Sequence, residues 1–460
     1  MSGGHFKISL VVIDSLLMMA GFFMAGQILD KFTGSGMGWN IHSFSSIVLI
    51  VFSVFVFYLY DLYAEWNRKR VRNLIYSIVL SMAIISAVEW FISTWTPLLF
   101  EQGMFVLASF VIQTLLFIFV RSFIWYMHRK VYGMKKVLII GTDSNTSISL
   151  AGKILNHTKG WFEVLGFIPL SKKGILHEYI KKCDLFLLSP SIGREEQEEI
   201  AAFCTKHGKE VLIIPQLLEL SIISSDIQQI DDTLVLSIKP LGLSKSQMIW
   251  KRMSDCLIAF ILLVISSPLF LVLSLFIPLT SKGPALYKQE RIGMNGRPYM
   301  IYKFRSMVRD AEKATGPVLA ADRDPRITPI GRFIRATRLD ELPQLINVLK
   351  GDMSLVGPRP EREYFIQQFK QQLPEYSCRL TVKPGITGLA QVLSGYTTSV
   401  NDKLRYDLLY IRNYSLWLDV KILFQTVRIV FQREHAQGVK TDSIHNQNLL
   451  NSLEQNKAAN

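Results

Sequence analysis

Histidine, cysteine and charge are all scarce in this chain, and each shortage closes off a class of function. There are 8 histidines and 4 cysteines among 460 residues. Cys183, Cys204, Cys256 and Cys378 are scattered with no C-x-x-C pair, which excludes a zinc ribbon or a disulfide framework and leaves four free thiols of a reducing compartment. Between Gly283 and Phe431 there is no histidine at all. A histidine-based triad is excluded there, so any acid, base or nucleophile must be a carboxylate, Lys, Tyr, Ser or Cys378. Glycine is missing where a dinucleotide site needs it: Gly141-Thr142-Asp143-Ser144-Asn145-Thr146 has one glycine and a fingerprint needs three. Only 19% of residues are charged, against about 25% in an average soluble domain.

What is present is grease and positive charge. Hydrophobic residues make up 49% of the chain and mean hydropathy is +0.25, which excludes disorder over most of the length and points to bilayer contact. Against 37 Asp+Glu stand 51 Lys+Arg, a net +14. That surplus fits an anionic membrane surface or a phosphate-bearing partner.

Four apolar runs, Ile8 to Leu29, Phe44 to Leu62, Leu74 to Ile92 and Met104 to Val120, read as membrane helices. Asp14 interrupts the first, so it is a poor cleavable signal peptide. Asp14 itself reads either as a functional intramembrane carboxylate or as a snorkelling one near the helix start. Arg68, Lys69, Arg70 and Arg72 follow the second run; Arg121, Arg129, Lys130, Lys135 and Lys136 follow the fourth; the loop around Trp95 to Gln102 has no basic residue. The positive-inside rule therefore puts both ends of this bundle, residues 1–130, in the cytoplasm.

Residues 136–241 have the texture of a small α/β module. Short apolar runs at Val137 to Ile140, Asp184 to Leu188 and Val211 to Ile214 alternate with helical spacing such as Glu195 to His207, which implies a small parallel sheet with a structural or regulatory role. A fifth apolar block, Leu257 to Thr280, is long enough to span, but Lys251 and Arg252 precede it and Lys282, Lys288 and Arg291 follow it, with Ser266-Ser267-Pro268 in its middle. Basic residues on both sides oppose a simple crossing, Pro268 removes a backbone donor, and the serine hydroxyls can rebond freed carbonyls. Both a re-entrant helix and a kinked crossing stay open. Ser415 to Phe431 reads as an interfacial helix or an amphipathic core helix, and residues 438–460 as a polar tail.

The chemistry is concentrated after Gly283, where Arg291, Lys303, Arg305, Arg335, Arg338 and Arg359 surround the adjacent acids Asp340-Glu341. A D-E-L-P segment is often just a capped helix start. Beside so many cations it also fits phosphoryl transfer: one carboxylate can attack phosphorus while its neighbour binds Mg²⁺ through oxygen, and arginine forks match phosphate. Gly357-Pro358-Arg359-Pro360 and Lys383-Pro384-Gly385-Ile386-Thr387-Gly388 are turns able to bring rigid backbone close to a ligand.

Tyr302-Lys303-Phe304-Arg305-Ser306-Met307, Asp324-Pro325-Arg326-Ile327-Thr328, Arg338-Leu339-Asp340-Glu341-Leu342-Pro343-Gln344, the run from Asn347 to Pro360, and Pro384-Gly385-Ile386-Thr387-Gly388 stand in the order of the bacterial sugar transferases. The chain resembles the long form of that family, the monotopic polyprenyl-phosphate hexose-1-phosphate transferases, over about residues 247–432. The resemblance implies a membrane protein of mixed α and α/β class. Its parts are a four-helix transmembrane bundle, a degenerate Rossmann-like module, and a mainly helical catalytic domain with a re-entrant membrane helix at 257–280. It implies a sugar phosphate passing from a UDP-sugar to undecaprenyl phosphate with release of UMP, at the cytoplasmic face of the bacterial inner membrane, as the first membrane step of exopolysaccharide, capsule or O-antigen synthesis. Carried onto this sequence, Asp340 is the nucleophile and Glu341 the Mg²⁺-associated carboxylate. Arg335 and Arg359 bind phosphate, with Lys303, Arg305, Arg338, Pro358 and Pro360 completing the site, and Ser267-Pro268 is the membrane kink. Arg338 stands where some members have Ser.

Two rivals have sequence-level tests. A membrane-bound NAD-dependent nucleotide-sugar dehydratase would need the full glycine fingerprint, and a non-catalytic scaffold binding acidic lipid would be indifferent to Asp340. Nucleic acid is a poor partner, since the arginines interleave with Pro, Gly and acidic turns. The hexose and the oligomeric state, a homodimer included, are left open.

Overall fold

The computed structural model describes residues 3–33, 43–64, 71–94, 99–142, 146, 150–152, 161–223, 225–308, 311, 324–395 and 398–431. Arg68 to Arg70, Asp143 to Asn145 and the tail after Gln437 lie outside these residues. The chain divides into two compact units, the second opening at Pro215.

The first unit begins with helices α1 (Gly3–Thr33), α2 (Ser43–Leu59), α3 (Val71–Ser93) and α4 (Leu99–Tyr132). Neighbours pack through Met18, Phe22, Val56, Phe57, Met82, Ile85 and Phe117, all buried, while Ile8, Leu16, Leu115 and Phe119 face outward. An apolar exterior around an apolar interior is what a bilayer-embedded bundle requires. α1, α3 and α4 are long and apolar enough to cross a membrane; α2 has 17 residues, the lower limit for a span. Asp14 does not snorkel: it is fully buried and paired with Arg121 of α4. Arg121 Nη1 also donates to the Leu62 carbonyl at 3.4 Å, and its guanidinium lies 5.5 Å from the Tyr63 ring centre. A second carboxylate, Glu89 on α3, accepts from Ser109 Oγ of α4 at 3.0 Å. Gly21 admits α4 closely, since a Cβ there would sit 2.4 Å from Gln113 Cγ.

The same unit continues into a four-stranded parallel sheet of order β2-β1-β3-β4. Its strands are β1 (Lys135–Gly141), β2 (Phe162–Pro169), β3 (Leu185–Leu188) and β4 (Glu210–Ile213), with α5 (Arg194–Lys206) between the last two. β1 and β3 are the central strands, and their unbroken apolar runs are what burial on both faces demands. The edge strand β2 has no sequence counterpart among the three expected runs; its mixed burial and its Gly166 and Pro169 hide it. All four cysteines are free thiols.

The second unit opens with α6 (Leu217–Ile223) and the hairpin β5 (Asp226–Ile230) and β6 (Thr233–Ser237). Leu220 and Leu241 pack into the core of this unit, and Arg405 and Arg412 donate to the Pro215 carbonyl and to Ser221 Oγ at 2.8 and 3.0 Å. Residues 215–241 thus belong with the C-terminal unit rather than with the sheet. Next comes α7 (Lys245–Thr280), 36 residues started by a Ser244/Gln247 capping box. Its middle is bare, with Phe260, Val264, Ile265, Leu271 and Leu275 exposed. Pro268 cannot donate to the Val264 carbonyl, and Ser267 Oγ does so instead at 2.7 Å; Ser266 Oγ donates to Leu262 O at 2.7 Å.

Both ends of α7 pack against the same unit. Near its start Lys251 pairs with Asp419 at 2.6 Å, and Asp255 accepts from the Leu355 amide at 3.1 Å. Near its end Leu273 and Ile277 pack against Phe304 and Ile334. The remaining elements are the antiparallel pair β7 (Leu286–Ile292) and β8 (Pro298–Phe304), α8 (Pro329–Ala336), α9 (Gln344–Lys350), β9 (Ser354–Val356), α10 (Glu363–Gln372), β10 (Gly385–Thr387), α11 (Leu389–Leu393), α12 (Val400–Arg412) and α13 (Leu416–Phe431). α13 buries Asp419, Ile422, Gln425 and Ile429 in the core and leaves Trp417 and Val427 exposed, so core packing is its main task.

Candidate active site

The acidic pair sits on a short, sharply placed turn. Thr328 caps α8 by accepting from the Gly331 amide at 3.0 Å, with Pro329 opening the helix. Gly331 lies against the Ser306 carbonyl, where a Cβ would be only 1.9 Å away. After α8 ends, Arg338 takes a left-handed backbone, φ 58°, and reverses the chain into a single 3-10 turn, Leu339–Glu341. A non-glycine residue there carries strain of the kind found at functional sites. Asp340 and Glu341 therefore lie on this turn, with Pro343 and α9 following, rather than in the first turn of a regular helix.

The two carboxylates have different surroundings. Glu341 is 8% exposed and gathers cations: Lys303 Nζ at 3.1 Å and Arg359 Nη2 at 3.2 Å from Oε1, and Arg338 Nη1 at 3.9 Å from Oε2. Burial pushes its carboxyl up, but the charges of Lys303, Arg359 and Arg338 outweigh that and hold it well below the usual carboxylate range. Asp340 is half-buried. Burial and the adjacent Glu341 charge push it up to about 6, against the pull of Lys303, Arg335 and Arg338. The result is one carboxylate fixed as an anion inside a cationic cage and one set apart as the more basic member.

Lys303 is delivered by β8. Buried Asn347 of α9 accepts from the Tyr302 amide at 3.0 Å and donates to the Met300 carbonyl at 2.8 Å, which binds β8 to the helix that follows the dyad. Burial lowers the Lys303 ammonium and Glu341 opposes that shift. Arg305, two residues on, does not join the cage. It is past the end of β8, and its Nη2 donates to Ser281 O at 2.6 Å and Ser281 Oγ at 2.9 Å, capping the C-terminus of α7. Ser267 and Pro268 belong to α7 and are not among the residues gathered at the dyad.

Arg359 comes from the turn after β9, in which the carbonyls of Pro358, Arg359 and Pro360 are each tied down. Gly385 N donates to Pro358 O at 2.9 Å, Arg379 Nη2 to Arg359 O at 2.8 Å, and Arg291 Nη1 to Pro360 O at 3.2 Å. The two glycine-rich turns pack on each other: a Cβ on Gly385 would stand 2.1 Å from Gly357 N, and one on Gly388 2.2 Å from Gly357 O. The glycines of the two turns meet backbone to backbone. Asn347, Arg379 and Asp407 were not legible as site residues, since each acts through a distant partner, and Arg291, counted among the cations around the dyad, instead supports the Pro360 carbonyl. Among the described residues no group of three or more His, Cys, Asp or Glu side chains gathers to hold a metal. The donor set offers the two dyad carboxylates, which fits Mg²⁺, an ion usually held by one or two carboxylates with substrate phosphates supplying the rest.

Fold and site define a membrane protein whose second unit sets an acidic pair in a basic cradle suited to phosphate. The bacterial sugar transferase description matches residues 246–433. A UDP-glucose:undecaprenyl-phosphate glucose-1-phosphate transferase of Klebsiella pneumoniae is 31% identical over 444 residues, 90% of this chain and 93% of that protein. A UDP-N-acetylgalactosamine-undecaprenyl-phosphate N-acetylgalactosaminephosphotransferase of Aeromonas hydrophila is 44% identical over 217 residues, 44% of this chain and 51% of that one. An undecaprenyl-phosphate galactose phosphotransferase of Salmonella typhimurium is 37% identical over 246 residues, 50% of this chain and 51% of that one. The chain thus spans about half the length of the Aeromonas and Salmonella relatives and nearly all of the Klebsiella one. It belongs to the bacterial sugar transferase family.

Proposed function

We propose that the protein transfers a sugar 1-phosphate from a UDP-sugar to undecaprenyl phosphate in two displacements at Asp340. An Asp340 oxygen attacks the sugar-bearing phosphorus, the bridging oxygen leaves with UMP, and the enzyme carries an aspartyl phosphosugar. A phosphate oxygen of undecaprenyl phosphate then attacks the same phosphorus, the aspartyl bond breaks, and undecaprenyl-diphospho-sugar departs while Asp340 returns as a carboxylate. The observation that carries this reading is the asymmetry of the pair. Asp340 is the more basic carboxylate beside a Glu341 locked among Lys303, Arg338 and Arg359. Arg359 and Arg335, with Lys303 and Arg338, bind the diphosphate, and Pro358 and Pro360 stiffen the turn that presents Arg359. Glu341 would hold Mg²⁺, which neutralises phosphate charge when bound.

The membrane assignment follows the substrates. A polyprenyl phosphate keeps its chain in lipid and its phosphate at the interface, and the UDP-sugar is cytosolic. α7 reads as re-entrant, since its two ends pack on one unit while its middle is bare, an arrangement a straight crossing would place on opposite sides of the bilayer. Ser267 and Pro268 are the site of the bend, and the catalytic unit rests on the cytoplasmic face of the inner membrane. Three relatives named for glucose, N-acetylgalactosamine and galactose leave the hexose to experiment. The test is UMP release by the purified full chain with undecaprenyl phosphate, Mg²⁺ and a panel of UDP-sugars. Release with one sugar, lost in Asp340→Asn, is expected; release undiminished in Asp340→Asn contradicts the mechanism, and silence across the panel contradicts the activity.

A further inference from the structure

The Pro358-Arg359-Pro360 turn has two prolines and hence two missing backbone donors, so its position is set by groups that donate to its carbonyls. The donor to the central carbonyl is unusual. Arg379 is 5% exposed and lies in the 3-10 segment Pro374–Thr381, and it spends its whole guanidinium on anchoring. Nε and Nη2 lie 2.9 and 2.8 Å from Asp407 Oδ2 on α12, Nη1 donates to Tyr376 OH at 2.8 Å, and Nη2 donates to Arg359 O at 2.8 Å. Asp407 is 3% exposed and Tyr376 4%.

We propose that Arg379 is a positioning residue for the transfer: anchored by Asp407 and Tyr376, it holds the Arg359 carbonyl so that the Arg359 side chain points at the dyad. This rests on the reading above that Arg359 binds substrate phosphate. The chemistry selects arginine. Lysine would keep the charge opposite Asp407 but lacks the planar fork that serves Asp407, Tyr376 and Arg359 O together. The anchor also explains why Arg359, whose own contact with Glu341 is a single 3.2 Å one, has a defined direction before substrate arrives. A purely structural ion pair between Arg379 and Asp407 would have no need of the Arg359 carbonyl.

The test compares the full chain with Arg379→Lys, Arg359→Ala and the double variant, reading UDP affinity by calorimetry and kcat/KM for UMP release. Arg379→Lys is expected to weaken UDP binding and lower kcat/KM by about 10- to 100-fold, yet to change UDP affinity by less than about twofold in the Arg359→Ala background, because the two residues act as one unit. Unchanged affinity in Arg379→Lys, or an equal loss with Arg359 absent, overturns the proposal. Should Arg379→Lys fail to fold, Asp407→Asn takes its place: it loosens the anchor, is expected to cost about 3- to 10-fold in UDP affinity, and must lose that effect in Arg359→Ala. Wild-type UDP affinity in Arg359→Ala itself would remove Arg359 from the substrate and overturn both readings. Loss there with none in Arg379→Lys overturns the positioning role alone.

Discussion

Replacing Glu341 by Gln should move the acid limb of the first half-reaction to lower pH. In the wild type, burial and then the Glu341 charge raise the Asp340 carboxyl to about 6. A raised value means that Asp340 keeps its proton to higher pH than an ordinary aspartate, so the carboxylate that the proposed attack requires is gained as pH rises through 6 and lost as it falls. A single titration centred there leaves about a tenth of the sites ionised at pH 5 and about nine tenths at pH 7, a roughly tenfold fall in rate between them. Glu341→Gln keeps the burial but removes the like charge, and it frees Lys303, Arg359 and Arg338 from their carboxylate partner. Both changes favour ionised Asp340, and the limb should drop by about 1–3 pH units. The assay is the single-turnover rate of UMP formation with enzyme in excess, saturating UDP-sugar, Mg²⁺ saturating for each protein so that the loss of Glu341 as a metal ligand does not enter, and no acceptor. Omitting undecaprenyl phosphate matters, because a phosphate monoester also titrates near pH 6. A limb that stays near 6 or rises in Glu341→Gln would refute the coupling between the two carboxylates.

Other parts of the fold give equally direct expectations. Arg338→Gly relieves the left-handed backbone at φ 58° and should raise unfolding stability by about 1 kcal/mol while slowing UMP release, since a cation beside Glu341 is lost; thermal unfolding and the rate assay together check it. Arg121→Met strands the fully buried Asp14 and should cost about 3–5 kcal/mol, most of it recovered on adding Asp14→Leu; unfolding of the detergent-solubilised protein reads both. Gly385→Ala drives a Cβ against Gly357 N and should displace the Arg359 turn, seen as a fall in UDP affinity as well as in stability.

How far the site could be read in advance depended on how local each cause was. Asp340, Glu341, Lys303 and Arg359 carry recognisable neighbours, and the structure brings them together. Arg305 shares strand periodicity with Lys303, two residues away, which makes the two look equivalent. The strand ends at Phe304, however, and the Arg305 side chain turns to the end of α7. The long-range supports were invisible because their partners are far along the chain: Asn347 clamps strand residues 45 and 47 positions away, and Arg379 reaches 28 residues on to Asp407. In the first unit the buried strands β1 and β3 announced themselves by unbroken apolar runs, whereas edge strand β2 did not. Asp14 was ambiguous until Arg121, 107 residues later, proved to be its partner.

The central claim is a covalent bond between Asp340 and the sugar phosphate, and it can be seen directly. The purified protein is incubated with its UDP-sugar in the absence of undecaprenyl phosphate, quenched in acid, and digested for mass spectrometry of the peptide bearing Asp340. The predicted result is a phosphosugar adduct on Asp340 that forms with UMP release and disappears when undecaprenyl phosphate is added. UMP accumulating with no adduct, or with an adduct on another residue, would contradict it.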